Sequence, residues 1–271
     1  MKHLTDDRGV IETPTSPSLA EWNAMGPADR ARVVRELSAG MPEDEVSPPE
    51  GDAHSTPKRE AFDALDGFFK RQSRSVYLAT ELPIYYPDTR RFAPDLIAVL
   101  DVPTHPRDSW IVVREGHGLD FALEIHTGGD RKKDEVENVA RYAQLGIPEY
   151  FIYDTPQKRL LGYRLPHGQA RQYQRILPQS GNYHSQVLGL DLYLVGDRLR
   201  FSFAGAPVPL SMDLIRQLQD RLEAEADVRE EVARKLEEER RRREEETRRR
   251  EEAESRVAAL EAELARLREP R

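Results

Sequence analysis

The chain has 271 residues, enough for one well-buried domain with additional segments, and its 38% apolar and 33% charged composition is polar but globular. The net charge of −8 divides as −6, +1 and −3 over residues 1–57, 58–208 and 209–271, so any positive surface that meets phosphate is local and nonspecific nucleic-acid affinity is modest. The lack of cysteine excludes disulfides, thiolate metal sites and cysteine nucleophiles, and the absence of a secretory signal or of a run of about 18 apolar residues points to a cytoplasmic protein with no membrane contact.

Residues 1–17 carry Pro14, Pro17 and scattered acids, the composition of a disordered lead-in. Ser18 is placed to cap a short helix over L-A-E-W-N-A-M, and Pro27 to open a second that ends at Gly40; Trp22, Met25, Val33, Val34 and Leu37 give the pair a small apolar face. Four prolines among acids over 41–57 read as a linker. From Lys58 a helix is expected, with Phe62, Leu65, Phe68 and Phe69 on one face. Strands are expected at 76–86, 95–102 and 119–126, a helix at about 130–145, and strands at 150–154, 160–165, 172–177 and 190–203. This order implies an α/β layer arrangement, a mixed sheet flanked by helices. The expected organisation is a partly disordered N-terminal segment (1–50), a central domain (51–208) and a charged long helix (209–271).

In that last segment a heptad series starting at Ile215 is apolar at both ends, through Leu218 and Leu222 and through Val257, Leu260, Leu264 and Leu267, and charged between them. Glu237 to Glu239 and Glu244 to Glu246 each precede three arginines by four residues, pairs worth a few tenths of a kcal/mol each. The pattern predicts a coiled coil that makes the chain a homodimer.

Two acids stand in apolar, strand-like runs: Asp95 opens P-D-L-I-A-V-L-D-V (94–102) and Glu124 lies within F-A-L-E-I-H (121–126). An uncompensated buried carboxylate costs several kcal/mol or neutralises, so each needs a hydrogen-bonding partner, an ion pair or a metal. Strand alternation puts Ala122, Glu124 and His126 on one face. The runs P-D-L-I-A-V-L (94–100) and A-L-E-I-H (122–126), followed by D-R-K-K-D-E-V-E-N-V-A-R-Y-A-Q-L-G-I-P-E-Y-F-I-Y-D (130–154), resemble the Uma-type putative restriction endonuclease family. That family belongs to the PD-(D/E)XK, restriction-endonuclease-like superfamily. The segment Y-A-Q-L-G-I-P-E-Y-F-I-Y-D (142–154) is the most specific part, and the likeness runs from about Gly51 to Phe203.

The resemblance implies a metal-dependent endonuclease acting on DNA, with Mg²⁺ held by Asp95 and Glu124. His126 occupies the slot of the motif lysine, and Asn138 the helix position from which many family members supply one instead. Lys132 and Lys133 are the lysines near enough to substitute, and Lys133 is taken as the catalytic one beside His126. His126 is otherwise a hydrogen-bonded structural histidine. Arg131, Lys132 and Lys133 at a helix start form a candidate phosphate-binding turn, or a solvated turn in which Asp130 is the N-cap and Asp134 and Glu135 offset the dipole. Tyr142 and the run Glu149 to Asp154 are assigned to packing, and Glu60 is a candidate third acid. The alternative reading is a catalytically reduced nuclease-fold scaffold that assembles through its coiled coil.

Overall fold

The structure is a computed structural model and describes residues 15–39, 51–129 and 131–268. Met1–Ser211 and Met212–Arg271 form separate compact units. The expectations for the lead-in up to residue 14, for Gly40, for linker residues 41–50, for the Asp130 cap and for the seam side chains Leu264 and Leu267 lie outside the described residues.

The first unit opens with α1 (Leu19–Ala24) and α2 (Pro27–Ala39). Ser18 and Glu21 close a reciprocal capping box on α1: the Glu21 N–H donates to Ser18 Oγ and the Ser18 N–H to Glu21 Oε2. Trp22, Val33 and Leu37 pack on Tyr85, Ile111 and Val113. These partners come from the parallel pair β2 (Ile84–Tyr85) and β4 (Trp110–Ile111) and from the short α4 (Val112–Glu115).

Helix α3 spans Asp52–Arg71, so residues 52–57, expected in the linker, are helical. Pro57 masks this in the sequence, yet the chain accommodates it in the second turn. The buried stripe of α3 runs His54, Lys58, Ala61, Leu65 and Phe68, an i, i+4, i+7 series whose first two members are polar. Its apolar part packs on a six-stranded sheet of order β1-β3-β5-β6-β7-β8. The strands are β1 (Val76–Ala79), β3 (Leu96–Leu100), β5 (Phe121–His126), β6 (Glu149–Asp154), β7 (Arg159–Arg164) and β8 (Gln174–Ile176). All neighbours are antiparallel except β5 and β6, which are parallel and joined by a crossover. The expected strand 76–86 is therefore two strands, β1 and β2.

The crossover begins with a π-helical turn (Lys133–Asn138) and continues as α5 (Val139–Leu145), ended by Gly146 at φ +78°. The wider turn rotates the helix face: Asn138 is buried while Val136 is 56% exposed. An antiparallel sheet of order β12-β11-β10-β9 covers the α3 side, built from β9 (Tyr183–Ser185), β10 (Leu190–Val195), β11 (Arg198–Phe203) and β12 (Ala206–Pro207). The expected single strand 190–203 is the hairpin β10–β11, turned at Gly196, φ +63°.

The second unit is the body of α6 (Ser211–Arg268). Four of the six expected Glu-to-Arg pairs form, at 237–241, 239–243, 245–249 and 246–250; Glu244 pairs with Arg240 and Arg248 reaches forward to Glu252. Ile215, Leu218, Leu222, Val232, Leu236, Val257 and Leu260 are all exposed on it. Among the described residues no helix is long and apolar enough to cross a membrane.

Candidate active site

Alternation along β5 sends Leu123 and Ile125 into the core under α3 and Ala122, Glu124 and His126 to the opposite face, where α5 packs. Leu96 pairs with Leu123, and that register continued by one residue sets Asp95 against Glu124. The backbone locks the two acids together. The Asp95 N–H donates to Glu124 Oε2 (3.3 Å) and the Ile125 N–H to Asp95 Oδ2 (2.7 Å). Both acids are buried.

Glu124 Oε1 accepts from the Tyr142 hydroxyl at 2.7 Å and from Asn138 Nδ2 at 3.4 Å. Neither donor is charged. Burial first, and the Asp95 charge second, push the Glu124 carboxyl up to about 8, against the Tyr142 hydrogen bond and the more distant Lys133 ammonium. Burial and the adjacent Glu124 hold Tyr142 well above the usual phenol range, so it stays a donor.

Asp95 is surrounded from α3. His54 Nε2 hydrogen-bonds Asp95 Oδ2 at 3.0 Å, and Lys58 Nζ lies 3.9 Å from Oδ1 while pairing with Glu81. Glu81 sits at φ +53°, a backbone conformation costing roughly 1–3 kcal/mol for a residue with a side chain. Its N–H donates to the Pro94 carbonyl (3.1 Å), which fixes it beside Asp95. His54, Glu81 and Asp95 bring one donor atom each within 4.8 Å of one another.

His126 hydrogen-bonds Asp134 Oδ2 through Nδ1 (3.1 Å), and its buried Nε2 has no hydrogen-bond partner among the described residues. Asp134 takes the Nδ1 side of the ring, and Nε2 is left unmet at a cost of roughly 1–3 kcal/mol. Buried polar atoms are otherwise satisfied in a native interior, so this one marks the face that Glu124 shares.

Residues 35–195 match the profile of a family described as "Uma2: Putative restriction endonuclease", more than half of the chain. The chain belongs to the Uma2 family. Its mixed sheet and flanking helices are accordingly a restriction-endonuclease-like fold. None of the curated proteins matches it. A solved structure similar to it is a putative nuclease belonging to DUF820 from Anabaena variabilis ATCC 29413, with 16% identity over 49% of this chain and 74% of the other, at a TM-score of 0.39.

In this Uma2 chain Asp95 and Glu124 come together, His126 shares the Glu124 face of β5, and Lys133 is exposed but near enough to act on the Glu124 charge. Arg131 turns back to Asp154 (3.0 Å) and Lys132 lies 3.7 Å from Glu137. Asp134 and Glu135 do more than offset a helix dipole, since Asp134 orients His126 and Glu135 pairs with Arg159. Glu60 is no third acid here: it pairs with Arg200 and Arg198. Tyr142, assigned to packing, hydrogen-bonds Glu124 as well as packing tilted against Phe92 and edge-on to Tyr150. His54, Lys58 and Glu81 were not anticipated. Their signal was the i, i+4 spacing of His54 and Lys58 ahead of the apolar stripe, hidden by the linker-like prolines.

Proposed function

We propose that the chain hydrolyses DNA phosphodiester bonds with a divalent metal, Mg²⁺ foremost, held by Asp95 and Glu124. The observation that carries this is the buried acid pair in which Glu124 has no cationic hydrogen-bond partner among the described residues and its ionised form is disfavoured by Asp95. A divalent cation relieves both penalties, and carboxylate oxygens are the ligands Mg²⁺ and Mn²⁺ take. The His54 nitrogen beside Asp95 makes Mn²⁺ an acceptable alternative. When bound, such an ion polarises the scissile phosphate and lowers the pKa of water.

The chain's own residues then have separable tasks. Tyr142 and Asn138 aim the Glu124 carboxylate, and His54 and the Ile125 N–H aim that of Asp95. His126 presents Nε2 on the Glu124 face, with Asp134 holding Nδ1. Lys133, with Lys132 and Arg131, supplies positive charge for the DNA backbone at the start of the crossover helix. In the hydrolysis a water oxygen bonds to phosphorus, the bond to one ester oxygen breaks, and that oxygen leaves with the electron pair and gains a proton.

A second reading, a nuclease-fold scaffold dimerising through residues 209–271, is favoured by His at 126 and Asn at 138 where lysine is expected, and by the exposed apolar positions of α6. Calorimetric titration of Mg²⁺ and Mn²⁺ into the wild type, Asp95→Ala and Glu124→Ala, with plasmid cleavage and sedimentation, separates the two. The nuclease reading expects binding and cleavage in the wild type alone. A dimer that neither binds metal nor cuts DNA returns the chain to the scaffold reading.

A further inference from the structure

The seam of α6 sorts its charges by heptad position. With Ile215 as an a position, the a residues of the charged stretch include Arg229, Arg243 and Arg250, and the d residues include Glu225, Glu239 and Glu246. Within one copy each of these arginines holds the glutamate one turn before it: Arg229 and Glu225 at 2.7 Å, Arg243 and Glu239 at 2.6 Å, Arg250 and Glu246 at 3.0 Å. The same seam carries Ile215, Leu218 and Leu222 before the charges, Val232 and Leu236 among them, and Ala253, Val257 and Leu260 after them, all exposed. A lone helix kept formed by its own ion pairs does not require a regular apolar seam, whereas a helix that packs on a partner does. We propose that the partner is a second copy of α6 running in the opposite direction.

Charge decides the direction. In a parallel pair each seam layer is formed by the same residue of both copies, so Glu225, Arg229, Glu239, Arg243, Glu246 and Arg250 would each meet its own like charge where solvent is excluded. In an antiparallel pair a residues meet d residues, and arginine meets glutamate. Two registers do this without setting like charges together in any layer. With the two-fold axis between residues 237 and 238, Arg229 meets the partner's Glu246 and Arg250 the partner's Glu225, while Leu222 meets the partner's Ala253 and Leu218 the partner's Val257. With the axis between 244 and 245, Arg243 meets the partner's Glu246 and Arg250 the partner's Glu239, while Leu236 meets the partner's Ala253 and Val232 the partner's Val257. In either register the pairs within and between copies close into rings of four alternating charges. Beside the seam Lys235 comes near the partner's Arg242 or the partner's Arg256, but there water and salt screen the repulsion. The two Met212 ends are then roughly 75–100 Å apart at 1.5 Å per residue, so the coil is a spacer between copies.

The phosphodiesterase reading enters neither this inference nor its test; the self-association of the scaffold reading does, and the outcomes keep the two apart. The full chain is sedimented at micromolar concentration as wild type and with the six seam charges exchanged (Glu225→Arg, Arg229→Glu, Glu239→Arg, Arg243→Glu, Glu246→Arg and Arg250→Glu), with circular dichroism to confirm the helix. Both are expected to dimerise. Annealed together in equal amounts they are expected to sort, with mixed dimers roughly a tenth or less of the total by native mass spectrometry, where indifferent chains give half. A parallel pair reverses this, because arginine then meets glutamate only between unlike chains. The chain has no cysteine, so Ala253→Cys under oxidised glutathione gives a second readout. Antiparallel copies hold the two 253 positions about 25 Å or more apart, and no disulfide-linked dimer is expected. Disulfide-linked Ala253→Cys dimers, or mixed dimers at half of the total or more, overturn the antiparallel direction and leave self-association standing. A wild type that stays monomeric overturns both, whatever the chain does to DNA.

Discussion

Two neighbouring strands each carry buried acids, and the partners those acids have are opposite in kind. On β6, Glu149 accepts from Arg164 (2.6 Å), from the Ser185 hydroxyl and from the Gln186 N–H. Asp154, at the other end of β6, accepts from Arg131, Arg159 and the Gln157 N–H. On β5, Glu124 accepts from a phenol, an amide and a backbone N–H, and the charge that acts on it most is another carboxylate. Burial works against Asp154, yet the Gln157 N–H and the two guanidinium groups hold it below the usual carboxylate range, while Glu124 is pushed far above it. Depth therefore does not tell a structural acid from a candidate site acid. What separates them is whether the fold provides the countercharge or leaves it to a ligand.

The largest expected effect breaks this comparison directly. Glu149→Ala or Asp154→Ala strands half-buried arginines and should cost about 3 kcal/mol, the low end for a broken buried pair because Arg159 and Arg164 keep some solvent contact. Glu124→Ala strands no arginine and removes a carboxyl that burial and Asp95 keep protonated near neutral pH, so metal-free stability should fall much less than at Glu149 or Asp154. Asp95→Ala should fall between, since Lys58 keeps Glu81 as a partner. Urea denaturation of the four variants checks the ranking, and equal losses at 124 and 154 would erase the distinction.

A second expectation concerns sign. Glu124 has a raised carboxyl, so the folded chain retains a proton that the unfolded chain releases above about 4.5; its contribution is present below that pH and lost as pH rises through about 8. Asp154 is lowered, so its contribution is present above the unfolded value of 3.8 and lost as pH falls through the folded one. Metal-free melting temperatures of Glu124→Gln should decline less than wild type between pH 4.5 and 8, and those of Asp154→Asn should decline less on the acid side. Parallel wild-type and Glu124→Gln curves across the neutral window would mean that the Asp95 charge is already offset. The smallest effect is expected at the crossover start. Lys132→Ala with Lys133→Ala should lower the slope of log affinity for DNA against log salt by about 2, near 0.9 per phosphate contact, and an unchanged slope would return both to solvent.

The acid pair was legible from sequence because strand alternation and the motif likeness fix which face Glu124 takes and which residue opposes it. The helices docked by Trp22, Val33 and Leu37 were legible from capping and spacing, and so was the long charged helix. The hairpin at Gly196 and the split of 76–86 were not, because a short turn inside a continuous β-prone run leaves little compositional trace. The residues around Asp95 were hidden for a different reason. His54 and Lys58 are 41 and 37 positions before it, behind Pro57, and only packing of α3 on the sheet brings them to the acid. The sequence by itself determined which face of its strand Glu124 takes, since period is a local property of the chain, and the motif likeness paired it with Asp95. Which acids would receive arginines, and which would be left facing each other beside a lysine, was decided by tertiary structure, because countercharge reaches a buried group across space from elements that no local pattern connects.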